Sequence, residues 1–178
     1  MKSQFSLLLL VLTSFTSGAL NKSDQRWIDA VSETYGERAG KRVATWRSNM
    51  TSYDGLSEKE KLESVNQFFN QMYFVDDSIL WGKNDYWATP LEFLGSNAGD
   101  CEDFTIAKYF SLLELGVSDK KLRLVYVKAL ELNQFHMVLA YYSTPSAEPL
   151  ILDNLGETRC KTLLSHYFLP HILLPWHH

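Results

Sequence analysis

The chain has 178 residues, 46% of them hydrophobic and 13% aromatic, with a formal net charge of −4. That length and apolar content suffice for one buried core and exclude a disordered chain or a coiled coil. The mild acidity gives no support for nucleic-acid binding, and two cysteines beside scattered or terminal histidines offer no structural zinc spacing.

Met1 and Lys2 precede the apolar run "FSLLLLVLTSF" and the small residues Ser17, Gly18 and Ala19, which match the three parts of a secretory signal peptide. The run is shorter than the roughly 20 residues that span a bilayer. The expectation is a leader over residues 1–19, cut near Ala19, and export of one domain over residues 20–178. Loss of Lys2 brings the net charge to −5.

Residues 24–73 read as helices. "DQRWIDAVSETYG" ends at Gly36, "ERAGKRVATWRSNM" follows, and "SEKEKLESVNQFFNQMYF" opens with Ser57 and Glu60 at capping-box spacing. Leu62, Val65, Phe69 and Met72 then recur at helical spacing and mark a core-facing stripe. From Phe74 to Asn97 the period is lost, and a long loop rich in aromatics is expected, with Trp81, Tyr86 and Trp87 close together.

A helix then starts at Cys101, capped by Asp100, and stops at Gly116. "LRLVYV" (122–127), "FHMVLAYY" (135–142) and "PLILDNL" (149–155) read as strands separated by polar or Pro-containing turns. The tail "LPHILLPWHH" forms no clear element in this reading. Helices followed by an antiparallel sheet make an α+β fold.

Cys101 falls in the first turn of its helix, where unpaired N–H groups and the helix dipole favour a thiolate. A cysteine nucleophile needs an imidazole to take its proton and a third group to orient that imidazole. Strand alternation puts His136, Val138 and Ala140 on one face, and Asp153 lies on the next strand. A helix packed across those strands would bring Cys101 to His136. Each residue also has a plainer role open to it: His136 as a core histidine, Asp153 as a turn former before Asn154, and Cys101 as half of a Cys101–Cys160 disulfide, which an exported chain would permit.

The order Cys101, His136, Asp153, with "GDCEDF" opening a helix and "HMVL" and "LDNL" on following strands, resembles the bacterial transglutaminase-like cysteine proteinases of the LapG type. "YWATPLEFL" upstream and "AKYFSLLELG" downstream extend the likeness over roughly residues 24–160. The resemblance implies a papain/transglutaminase-like fold with the nucleophile helix packed on an antiparallel sheet, and a Cys101–His136–Asp153 triad. It further implies a calcium-dependent periplasmic endopeptidase that clips the N-terminal region of a large surface adhesin near an Ala-Ala-containing motif and releases cells from biofilms. An inner-membrane cyclic di-GMP receptor is the implied sequestering regulator.

The acids beside Cys101 need an explanation. At about 6 Å and an effective dielectric of about 20, each carboxylate costs a thiolate roughly 3 kcal/mol. A divalent cation that collects the carboxylates would offset this, and calcium suits oxygen ligands. The resemblance puts calcium ligands at Asp100 and Glu102. Asp103 is either a further ligand or the capping-box partner of Asp100. The Cys101 N–H is an expected oxyanion donor, and the 81–87 loop is where a second is sought. Two rival readings remain: a transglutaminase, which passes the acyl group to an amine, and a non-catalytic exported calcium-binding module.

Overall fold

The computed structural model describes residues 20–129, 133–154, 161–162 and 167–174. Helix α1 (Lys22–Tyr35) is started by Asn21, whose side chain accepts the Ser23 and Asp24 N–H groups while Asp24 returns a bond to the Asn21 N–H. Gly36, at a φ of 90° that favours glycine, turns the chain into α2 (Glu37–Tyr53). Helix α3 (Glu58–Phe69) begins at the expected Ser57–Glu60 capping box. Its stripe residues Leu62, Val65 and Phe69 are buried.

The segment expected to be a long loop is more ordered than its composition suggests. It contains a short strand β1 (Tyr73–Phe74), a single turn α4 (Asp77–Leu80) and helix α5 (Pro90–Ser96). The cause of α5 is local: Thr89 and Glu92 form a capping box, Pro90 fills the first helical position, and Asn97 closes the helix at a left-handed φ of 59°. Strand β2 (Ala98–Gly99) then pairs in parallel with β1.

Helix α6 (Cys101–Glu114) follows at once, capped by Asp100 as expected. A 3₁₀ turn (Asp119–Lys121) leads into β3 (Leu122–Ala129), β4 (Gln134–Tyr141), β5 (Leu150–Leu152), β6 (Lys161–Thr162) and β7 (Tyr167–Leu174). The strand order is β6-β5-β4-β3-β7 with every pair antiparallel. This is the expected α+β arrangement.

The tail corrects the sequence reading, because residues 167–174 form an edge strand on β3. Its Pro170 hid the strand. The proline sits where the register slips, between the Tyr126↔Ile172 and Lys128↔Phe168 pairs, and an edge or bulge position tolerates a residue without an N–H. The 1–19 leader and any pairing of Cys160 lie outside the described residues. Among those described, no helix is long and apolar enough to cross a membrane.

The main core joins α2, α3, α5 and α6 to one face of the sheet. Phe93 meets Phe104 edge-on at 4.7 Å and stacks on Phe69 at 6.0 Å, while Leu122, Leu124, Met137, Leu139 and Tyr141 supply the sheet side. Val125, Val127, Val138, Ala140 and Ile151 form a second cluster on the opposite face. A polar knot closes the helical end. Buried Arg47 bonds Asp24 at 2.6 Å and both Glu114 oxygens at 2.7 and 2.5 Å, and lies over the Trp27 and Trp46 rings.

Candidate active site

Three pieces of chain converge on the head of α6. The first is the β1–β2 pair, in which the Val75 N–H bonds the Gly99 carbonyl at 2.9 Å and fixes the approach to Cys101. Gly99 must lack a side chain, because a Cβ there would lie 2.7 Å from the Asp103 Cβ and 2.8 Å from the Phe93 ring. The second is Asp103, fully buried. One of its oxygens accepts the Ala88 N–H at 2.7 Å and the other the Asp100 N–H at 3.3 Å, so the capping-box role expected for Asp103 is present.

The third piece is β4. Alternation along this strand is as expected, but α6 packs on the Met137, Leu139 and Tyr141 face, opposite the face that carries Val138 and Ala140. The helix head reaches β4 through its edge instead. The Met137 N–H is directed at the Cys101 sulfur, and the Met137 carbonyl accepts the Thr105 hydroxyl at 3.2 Å. Strand β5 stops at Leu152, opposite Leu139, which leaves this stretch of edge to the helix.

His136, next to Met137, is 3% exposed. Its Nε2 lies 2.7 Å from Asp153 Oδ1. That oxygen also accepts the Asn154 N–H at 2.6 Å. An ionised carboxylate only accepts, so Nε2 carries the proton and Nδ1 is the free basic nitrogen. The structure therefore brings His136 and Asp153 together and sets Cys101 against the neighbouring peptide unit.

Cys101 carries a free thiol, which donates to Glu102 Oε2 at 2.9 Å. Burial, and then the Glu102 charge, push this thiol well above the ordinary cysteine range. Tyr126 of β3, unnoticed in the sequence, directs its hydroxyl at the other Glu102 oxygen at 3.4 Å. Asp100 accepts the Glu102 N–H at 3.3 Å. Burial, then a hydrogen bond with Glu102 and the charges of Glu102, Asp103 and Asp77, lift its carboxyl to about 8. Burial similarly raises Asp103 to about 6, against two backbone N–H bonds that lower it.

Asp77 of α4 was missed because a turn-forming "VDDS" carries no spacing that points to a site. It is 5% exposed, and one of its oxygens accepts the Tyr86 N–H. The other, Oδ1, is buried with no hydrogen-bond partner among the described residues. Oxygens from Asp77, Asp100 and Asp103 lie within 4.8 Å of one another, and Asp100, Cys101 and Glu102 form a second such group. A buried acceptor without a donor among the described residues, beside carboxyls raised by burial and then by one another's charge, suits a hard cation with oxygen ligands. Asp77, Asp100, Glu102 and Asp103 are the residues that would hold it. Sulfur is too soft a ligand to join them.

The profile of the bacterial transglutaminase-like cysteine proteinases, BTLCP, matches residues 36–167. Among solved structures, calcium-bound Legionella pneumophila LapG is 38% identical over 86% of this chain and 84% of its own, with a TM-score of 0.74. A second Legionella pneumophila LapG structure is 41% identical over 78% of this chain and 76% of its own, with a TM-score of 0.69. The EGTA-treated form of that protein is 41% identical, covers 79% and 74%, and also scores 0.69. No curated protein sequence matches. Together with the α6 head set on the edge of an antiparallel sheet, the 36–167 match settles the family: this chain belongs to the bacterial transglutaminase-like cysteine proteinases.

Proposed function

We propose that this protein is a calcium-dependent periplasmic endopeptidase that uses Cys101, His136 and Asp153 to cut the N-terminal region of a large surface adhesin. The observation that carries the reading is the 2.7 Å His136–Asp153 bond on the strand whose edge receives Cys101. His136 Nδ1 takes the thiol proton, and the sulfur attacks the scissile carbonyl carbon. The oxygen that becomes negative is met by the Cys101 N–H, one of the first-turn donors with no acceptor inside the helix. His136 returns its proton to the departing amine, leaving a thioester. Water, deprotonated by the same imidazole, then releases the acid and the free thiol.

Asp153 keeps the imidazole in the tautomer this sequence needs. Calcium, when bound, supplies the positive charge that balances the carboxylates beside the thiol. The signal-peptide pattern of residues 1–19 supports export, and the family resemblance supports the adhesin substrate and a cyclic di-GMP receptor as sequestering regulator.

The test is cleavage of the N-terminal fragment of an adhesin from the same genome by the processed protein. It is run with calcium, with EGTA and with Cys101→Ala. Cleavage lost in both latter samples is the expected result. Cleavage that survives EGTA removes calcium from the mechanism. A Cys101→Ala variant that still cuts refutes the thiol protease, and adducts with an amine probe in place of cut products would make the protein an acyl transferase.

A further inference from the structure

We propose that Asn70 is a positioning residue for this site: its amide pins the Asp153 main chain and through it fixes the orientation of His136. The inference rests on the triad proposed above. Asn70 is the C-cap of α3, and its Nδ2 donates to the Asp153 carbonyl at 2.6 Å across 83 residues of sequence. The bond acts where the sheet gives out. β5 ends at Leu152, so Asp153 lies one residue beyond the strand that would otherwise set its direction. Its carboxylate is then steered by the Asn154 N–H and delivered to His136.

The other half of the Asn70 amide shows that the residue is more than a convenient cap. Among the described residues, its Oδ1 is buried without a hydrogen-bond partner. Such an orphan is costly to bury and calls for a compensating role. Turning the amide over would satisfy nothing, because it would set oxygen against the Asp153 oxygen. The side chain is therefore held for its donor, whose recipient among the described residues is the backbone of the residue that orients the imidazole.

The experiment needs no substrate. Alkylation of Cys101 by iodoacetamide is followed at its own peptide by mass spectrometry, in calcium buffer at pH 7, with thermal melts alongside. The variants are Asn70→Ala, Asn70→Asp, Asp153→Ala and the double variant Asn70→Ala/Asp153→Ala. Displacement of an orienting group by a fraction of an ångström slows reaction substantially, so Asn70→Ala is expected to lower the rate about tenfold. If Asn70 works through Asp153, the same change in the Asp153→Ala background moves the rate by less than about twofold. Asn70→Asp, equal in size but setting a carboxylate oxygen against the Asp153 carbonyl, slows the reaction at least as much as Asn70→Ala, and the melts select whichever variant is folded at the assay temperature. Equal slowing in both backgrounds, or no slowing, overturns the inference. An Asp153→Ala rate equal to that of the wild type overturns the triad instead.

Discussion

Asp153→Asn and Asp153→Ala separate charge from geometry at the imidazole. Oδ1 of Asp153 accepts two N–H bonds, from His136 and from Asn154. An asparagine that keeps its oxygen in that place preserves both of these bonds and loses the charge. Charge-assisted bonds contribute about 1.5–3 kcal/mol against about 1 for neutral ones, so the asparagine variant loses about 1–2 kcal/mol. At 1.36 kcal/mol per factor of ten, that is about a 5- to 30-fold fall in single-turnover cleavage of the adhesin fragment at saturating calcium. Alanine removes acceptor and charge together from a pair whose side chains are 4% and 12% exposed. Its loss of about 3 kcal/mol corresponds to about 150-fold. An asparagine variant as slow as the alanine variant would show that Asn154 does not orient this group. An alanine variant slowed less than about threefold would remove Asp153 from the mechanism.

Asp77→Asn is expected to weaken calcium binding about tenfold by titration calorimetry, since it removes one carboxylate from the set that would hold the ion. It should also raise the melting temperature of the calcium-free protein, because burial holds the Asp77 carboxyl above its ordinary range and ionisation at pH 7 opposes folding; unchanged affinity would exclude Asp77 as a ligand. Arg47→Met strands buried Asp24 and half-exposed Glu114, and should cost about 3–5 kcal/mol in denaturant unfolding; a loss below about 1 kcal/mol would mean the knot adds little net stability. The Lys121 bond, and then the Tyr141 bond, hold the Glu58 carboxyl below the usual range. Its contribution is therefore complete at neutral pH and lost as pH falls through that lowered value. The melting-temperature gap between wild type and Glu58→Gln should close in strong acid and stay open at pH 7.

Where structure is decided locally, the chain declares it. Ser57 with Glu60, Asp100 with Asp103 and the run to Gly116 mark α3 and α6 because caps and glycine stops act within a turn. Cys101, His136 and Asp153 are visible because each chemistry-bearing type stands out, at a helix start, near a strand start and just past a strand end. Thr89–Pro90–Glu92 carried the same kind of signal for α5, masked by surrounding aromatics. Tertiary placement was less legible. Asp77, Asn70 and Tyr126 join the site across many intervening residues, through contacts that no spacing encodes. The face of β4 covered by α6 was equally hidden, since alternation gives two faces and does not say which one a helix will choose.

The Met137 main chain, turned toward the head of α6, has a consequence for how the family can vary. The sulfur is met there by a peptide group, and every amino acid except proline provides its N–H. Side-chain size at 137 is thus a matter for the core alone. Reading frame along the strand is a different constraint, because edge-facing peptide groups recur at every second residue. A single inserted or deleted residue between Met137 and Leu139 would reverse which groups look outward, unhooking the helix head and swinging the imidazole to the wrong face in one event. Selection in this region should accordingly forgive substitutions and reject odd-numbered length changes.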